Sequence, residues 1–174
     1  EVRLIDTTTG QDVPAGEIGE LICRGANIMA GYYHRADATA EALQDGWLHT
    51  GDLATMDNDG YYYIVDRLKD MINVSGYNVY PREVEETLFR HPAVADAAVV
   101  QAPDAYQGES VFAFVVLKPD ASATEAELIE YCRANLAVFK APKRIAFRDT
   151  LPKNNTGKVL RRELRDEAAQ IVRV

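Results

Sequence analysis

Apolar and polar positions alternate in short runs through the first third of the chain and settle into longer strand and helix periods after it. Residues 2–6 read as a short strand that runs into a turn at 7–10, and residues 19–25 hold a second short strand between glycines. Asp37 is placed to cap a small helix over 38–43. Asn58-Asp59-Gly60 reads as a turn, and the aromatic and β-branched residues 61–65 read as a strand. These pieces are too few to close a core of their own. The opening Glu1-Val2-Arg3 is neither a signal peptide nor an initiation site, so the pattern predicts a piece of a longer polypeptide.

From Asp66 the pattern changes to alternating strands and helices. Residues 71–74 and 77–80 predict a hairpin turning on Ser75-Gly76. Pro81 suits the first turn of a helix with Val84, Leu88 and His91 on one face, ended by Pro92. Residues 97–102 and 110–117 are apolar enough for buried strands. Thr124-Glu125-Ala126-Glu127 is a capping box that opens a helix burying Leu128, Cys132 and Leu136. A strand at 144–148, a polar loop, and a helix with Leu160, Leu164, Ala168 and Ile171 at helical spacing complete the chain. The expected fold class is α+β: a small α+β domain over 67–174, preceded over 1–66 by a β-rich sub-domain.

Charge narrows the partners. The 174 residues carry 27 Asp+Glu against 19 Lys+Arg, a net charge of −8, which disfavours nucleic acid as a partner. The charge is uneven, with a net of −14 over residues 1–138 and +6 over 139–174, and a basic end on an acidic body suits an anionic ligand. At 47% hydrophobic and 26% charged residues the chain can bury a core, and no window approaches the length of a membrane span. Cys23 and Cys132 form no paired motif, which fits a reducing, cytoplasmic setting. The three histidines, His34, His49 and His91, have no metal-ligand spacing, so no metal site is expected in this chain.

Three polar stretches carry the candidate chemistry. In His49-Thr50-Gly51-Asp52, read as a turn between strands, the glycine lets the backbone pass tightly and leaves a carboxylate able to accept two hydrogen bonds from a cis-diol such as a ribose. Asp66-Arg67-Leu68-Lys69-Asp70 lies where the pattern changes, and its charged, solvated residues suit a hinge. The stretch Leu151-Pro152-Lys153-Asn154-Asn155-Thr156-Gly157-Lys158 lacks the first glycine and the final hydroxyl of a phosphate loop, having Pro152 and Val159 there. What remains is a lysine on a loop, able to deliver one positive charge to a phosphate or carboxylate.

In this order, these stretches resemble the adenylate-forming superfamily: acyl-CoA synthetases, peptide synthetase adenylation domains and luciferases. Gly19-Glu20-Leu21 with Gly31-Tyr32-Tyr33, Thr50-Gly51-Asp52, Asp66-Arg67-Leu68-Lys69-Asp70, Ser75-Gly76-Tyr77-Asn78-Val79-Tyr80-Pro81 with Glu83-Val84-Glu85, and Leu151-Pro152 with Gly157-Lys158 follow the family's motifs from end to end. Val79-Tyr80-Pro81-Arg82-Glu83 and residues 161–167 look like the long-chain fatty-acyl-CoA ligases of bacteria. Asn73 and Ser75 stand where luciferases and aryl-CoA ligases tend to place lysine.

That resemblance implies an AMP-forming acid–thiol ligase that joins a fatty acid to coenzyme A in two steps. Thr50, Gly51, Asp52 and Arg67 would bind ATP and AMP, with Asp52 on the ribose hydroxyls. Lys158 would be the catalytic residue, bridging the attacking carboxylate and the α-phosphate. Lys69 would be the hinge about which the C-terminal domain turns, bringing Ser75, Gly76 and Tyr77 to coenzyme A. The family's phosphate loop, acyl pocket and Mg²⁺-linked carboxylate belong to a large N-terminal region outside these residues, so the chain is expected to be inactive alone. The implied partners are fatty acid, ATP and coenzyme A, together with that N-terminal region; peripheral contact with a membrane is left open. The alternatives are another carboxylate–CoA or acyl-carrier-protein ligase, or a free-standing binding module.

Overall fold

Short apolar-rich runs make β1 (Val2–Ile5) and β2 (Gly19–Cys23) antiparallel neighbours, with Leu4, Ile5 and Ile22 buried. In the computed structural model, which describes residues 1–173, they begin a five-stranded sheet that is completed by β3 (Leu43–Gln44), β4 (Trp47–Met56) and β5 (Tyr62–Arg67). The sheet and α1 (Ala36–Ala42) form one of two compact units, Glu1–Lys69. Asp37 is not the cap expected of it. The N-cap is Arg35, and Asp37 sits inside the first turn, where both carboxylate oxygens meet the Arg35 guanidinium at 3.1 Å and the positive end of the helix.

The second unit runs from Asp70 onward. Its sheet is built around β9 (Gly108–Leu117). The antiparallel β8 (Val94–Asp104) lies along one edge of β9; the parallel β10 (Arg144–Phe147) and, through Val74, the hairpin of β6 (Ile72–Val74) and β7 (Tyr77–Val79) also pair with it. Alternate residues of β8 and β9 feed two cores. Ala97, Val99, Val111, Ala113 and Val115 pack with Val84 and Leu88 of α2 (Pro81–Phe89) and Leu128 and Cys132 of α3 (Glu125–Asn135). Ala98, Val100, Phe112 and Phe114 pack with Leu151 and with Leu164 and Ala168 of α4 (Arg161–Ile171). Burial on both faces is why these strands read as unbroken apolar runs.

The helix signals account for the helix ends. Pro81 is the first residue of α2, and the Thr124–Glu127 capping box makes both of its reciprocal bonds. α2 stops at Phe89, so His91 lies beyond it; its ring packs edge-on against Tyr131 of α3 instead of extending the buried helical face. Among the described residues no helix is long and apolar enough to cross a membrane.

β8 has strand pairing on one side only, and on the other side it is capped at Val99 by side chains. Glu85 of α2 accepts the Val99 N–H at 2.7 Å and a two-pronged contact from Arg161 of α4 at 2.7 and 2.9 Å, and Arg161 Nη1 donates to the Val99 carbonyl at 2.7 Å. The pair satisfies both backbone groups of Val99 on the free edge of β8 and joins the helices of the two faces. Asp104, at the end of β8, is held well below the usual carboxylate range, at about 2, by the Lys143 ammonium and by the Tyr106 and Gln107 N–H groups.

Removing Glu85 alone takes the two-pronged carboxylate from Arg161 and leaves the Val99 N–H without its acceptor, so Glu85→Ala should cost the second unit about 3 kcal/mol in denaturant unfolding. Glu85→Ala with Arg161→Ala should cost less than the two single changes together by about 1 kcal/mol or more; simple additivity would contradict the clamp. Because the Asp104 pKa is depressed on folding, its contribution is present above the unfolded value near 3.8 and fades as pH falls toward about 2. Carboxyl NMR titration should show that low midpoint, and Lys143→Ala should raise it; an unmoved midpoint would show that Lys143 is not its cause.

Candidate functional site

In the first unit, residues 49–52 are not a turn between strands. They lie within β4 as a bulge: Ile22 faces His49 and Glu20 faces Leu53, so Thr50, Gly51 and Asp52 together oppose Leu21. Gly51 accommodates the bend at φ +69°, where a side chain would be strained. The buried Glu20 holds the bulge in place, with its carboxylate 2.9 Å from His49 Nδ1 and accepting the Gly51 N–H at 3.1 Å. The Thr50 hydroxyl donates to the Leu21 carbonyl at 2.6 Å and accepts the Asp52 N–H at 3.1 Å. Thr50 and Gly51 line a cavity of about 550 Å³ with Glu20, His49, Leu68 and Lys69.

Asp52 and Arg67 stand opposite each other on β4 and β5, with Arg67 Nε 3.0 Å from Asp52 Oδ1. That ion pair holds the carboxylate beside the guanidinium, and a carboxylate has acceptor sites beyond one such contact. Both side chains are partly exposed, so the pair can meet a solvent-borne ligand. Lys69 lies in a short 3₁₀ turn, Leu68–Asp70, at the end of this unit.

In the second unit, Ser75 and Gly76 form a two-residue hairpin turn with φ of +53° and +89°. The Asn73 side-chain carbonyl accepts the Gly76 N–H at 2.8 Å, and the Asn73 N–H is held by Glu109 at 2.8 Å. Asn73 is thus engaged in shaping the turn. Tyr77 is exposed and stacks on Phe139 at 4.8 Å, which gives the hairpin a flat aromatic flank.

Lys158 sits on a closed loop. Leu160 N–H bonds the Pro152 carbonyl at 2.9 Å, Lys153 bridges to Val159, and Gly157 N–H bonds the Asn154 carbonyl at 2.9 Å across a tight turn. Gly157 takes φ +81° to close it. The loop is anchored to β8 twice, by Lys153 to Asp96 at 2.6 Å before it and by Arg161 to Val99 at 2.7 Å after it. Lys118, Lys140, Lys143 and Lys153 each donate to a backbone carbonyl or a carboxylate. Lys158 is exposed, and its ammonium has no partner among the described residues.

The structure therefore gathers Thr50, Gly51, Asp52 and Arg67 on two strands of the first unit, and presents Ser75, Gly76 and Tyr77 on a hairpin and Lys158 on a loop of the second. Sequence reasoning gave no role of their own to Glu20, Asn154 and Arg161, which hold these pieces. A buried acid in a strand and an Asn at the head of an Asn–x–x–Gly turn were the available signals. Among the described residues no group of three or more His, Cys, Asp or Glu could hold a metal ion.

Comparison with known proteins adds a family. Residues 83–158 match the model of the AMP-binding enzyme C-terminal domain. The chain is 54% identical over 98% of its length to a long-chain-fatty-acid–CoA ligase of Yersinia pestis, and covers 30% of that protein. It is 48% identical over 95% of its length to a feruloyl-CoA synthase of Amycolatopsis sp, and covers 33% of it. Among solved structures, ATP-bound MatB from Rhodopseudomonas palustris superposes with a TM-score of 0.93 at 37% identity, over 98% of this chain and 34% of that one. The chain thus spans about a third of the length of the proteins it matches.

Glu20→Ala would leave the Gly51 N–H and the His49 ring without their acceptor, and should destabilise the first unit by about 1–3 kcal/mol. The same change should collapse the His49 and Gly51 NMR shifts toward those of an unbulged strand. Unchanged shifts would show that the bulge stands without Glu20.

Proposed function

The chain belongs to the adenylate-forming, AMP-binding enzymes, and we propose that it is the C-terminal part of an ATP-dependent fatty-acid–CoA ligase. In the first half-reaction a carboxylate oxygen attacks the α-phosphorus of ATP, the bond to the bridging oxygen breaks, and pyrophosphate leaves the acyl-adenylate. In the second, the coenzyme A sulfur attacks the acyl carbon and AMP leaves. The observation that carries this reading is Lys158, an exposed lysine without a partner for its ammonium, on a loop whose main chain is held closed. Such a charge is available to a phosphate without breaking an internal ion pair.

The other roles follow from the geometry. Asp52, paired with Arg67, would use its remaining acceptor sites for a ribose hydroxyl. The cavity beside Thr50 and Gly51 would take part of the nucleotide, and Lys69 beside it would serve as the hinge between the half-reactions. The Ser75–Gly76 turn, with no Cβ on Gly76, would let the pantetheine arm of coenzyme A pass close to the main chain. ATP would arrive with Mg²⁺, and among the described residues no group of three or more His, Cys, Asp or Glu could hold the ion. The acyl pocket would lie in the further chain that makes up the remaining length of the relatives.

A second reading, ligation of another carboxylic acid such as an aryl acid, is favoured by the 48% identity to a feruloyl-CoA synthase. Within the full-length ligase, Lys158→Ala should lower acyl-adenylate formation by about 100-fold or more and spare thioester formation from supplied acyl-adenylate. Equal loss of both steps would sink the assignment. Residues 1–174 alone should show no ATP–pyrophosphate exchange, and measurable exchange would overturn the expectation that this part is inactive by itself.

A further inference from the structure

We propose that Asn154 is a positioning residue for Lys158 and that it fixes the lysine main chain for adenylate formation; this rests on the reading of Lys158 given above. The Asn154 Oδ1 accepts the Lys158 N–H at 2.9 Å, and the Asn154 N–H donates to the Lys158 carbonyl at 2.9 Å. Both polar groups of the Lys158 main chain are therefore held by one residue. The same Oδ1 accepts the Thr156 N–H at 3.0 Å and the Thr156 hydroxyl at 2.8 Å, so the turn converges on a single oxygen.

The convergence has a mechanical consequence. Residues 153–158 are exposed and bury no side chain, so packing does not hold the tip of the loop. The anchors at Asp96 and Val99 fix its two ends, but neither reaches Lys158 itself. Hydrogen bonds to Asn154 are what turn a tethered loop into one with a set direction for the Lys158 side chain. A lysine has four side-chain torsions to order when it meets a phosphate, and a fixed Cα removes the further cost of ordering the backbone beneath it. Asn155 has no comparable set of bonds, which separates the two adjacent asparagines.

Three donors on one amide oxygen exceed its two lone pairs, so a carboxylate at this position would serve at least as well as an acceptor. Alanine would keep the main-chain bond from residue 154 to the Lys158 carbonyl and lose all three bonds to Oδ1. The loop would then keep its ends and lose its aim.

The test uses the full-length ligase and its two half-reactions, with melting temperature as a control for folding. Asn154→Ala should lower kcat for adenylate formation by about 100-fold. The KM for ATP and thioester formation from supplied acyl-adenylate should stay near their original values, and Asn154→Asp should restore most of the lost kcat. The proposal is overturned if Asn154→Ala adenylates at the original rate, if both half-reactions fall together with the melting temperature, or if the aspartate variant behaves as the alanine one. Lys158→Ala runs alongside. Should that variant adenylate normally, the reading of Lys158 fails and this proposal with it; should it lose adenylation where Asn154→Ala does not, the proposal for Asn154 alone fails.

Discussion

The second unit depends on the closure of one strand edge. β8 is apolar on both faces and is hydrogen-bonded to a neighbour on only one side, so its outer N–H and C=O groups would face water or another chain if left open. Glu85 and Arg161 cover Val99 on that side and join α2 to α4 across the sheet. Arg161 Nε and Arg165 Nη1 also lie 3.9 and 3.8 Å from Asp70, at the start of the unit. Arg161 follows Lys158 by three residues. The bond that finishes the fold is therefore also the one that sets where the lysine loop ends.

Both candidate sites use the same device. An irregular piece of backbone, the β4 bulge in one case and the 154–157 turn in the other, is held by a single polar side chain that accepts main-chain N–H groups. Glu20 does this for Gly51 and Asn154 for Lys158. The irregularity places a functional group where a regular strand would not, and the acceptor removes the mobility such irregularity would otherwise bring. Within each unit the chemistry then meets solvent: a partly exposed carboxylate–guanidinium pair in the first, and in the second a lysine without an internal partner.

Much of this was legible in the sequence, and the misreadings have physical causes. The capping box of α3, Pro81 at the head of α2 and the apolar runs of β8 and β9 are local signals, and the structure follows them. Asp37 misled because an acid is favoured both at a cap and in the first turn, and Arg35 decided between the two. The His49–Asp52 stretch looked like a turn because a glycine at positive φ marks both turns and bulges; only pairing with β2 on one side and β5 on the other identifies the bulge. Glu85 and Arg161 are 76 residues apart, so no window of sequence contains the clamp. The order of motifs reveals the family, but the residues that hold each motif rigid emerge only from contacts distant in sequence or made by atoms of the main chain.

On the proposed function, Lys158 is the catalytic lysine of an AMP-forming fatty-acid–CoA ligase. The direct measurement is the product balance of the full-length protein supplied with ATP, coenzyme A and a panel of carboxylic acids from short to long chain and aryl. A fatty-acid–CoA ligase should give one AMP and one pyrophosphate per acyl-CoA formed, with the highest kcat/KM on a fatty acid. Release of ADP in place of AMP, or AMP formation without any acyl-CoA across the panel, would contradict it.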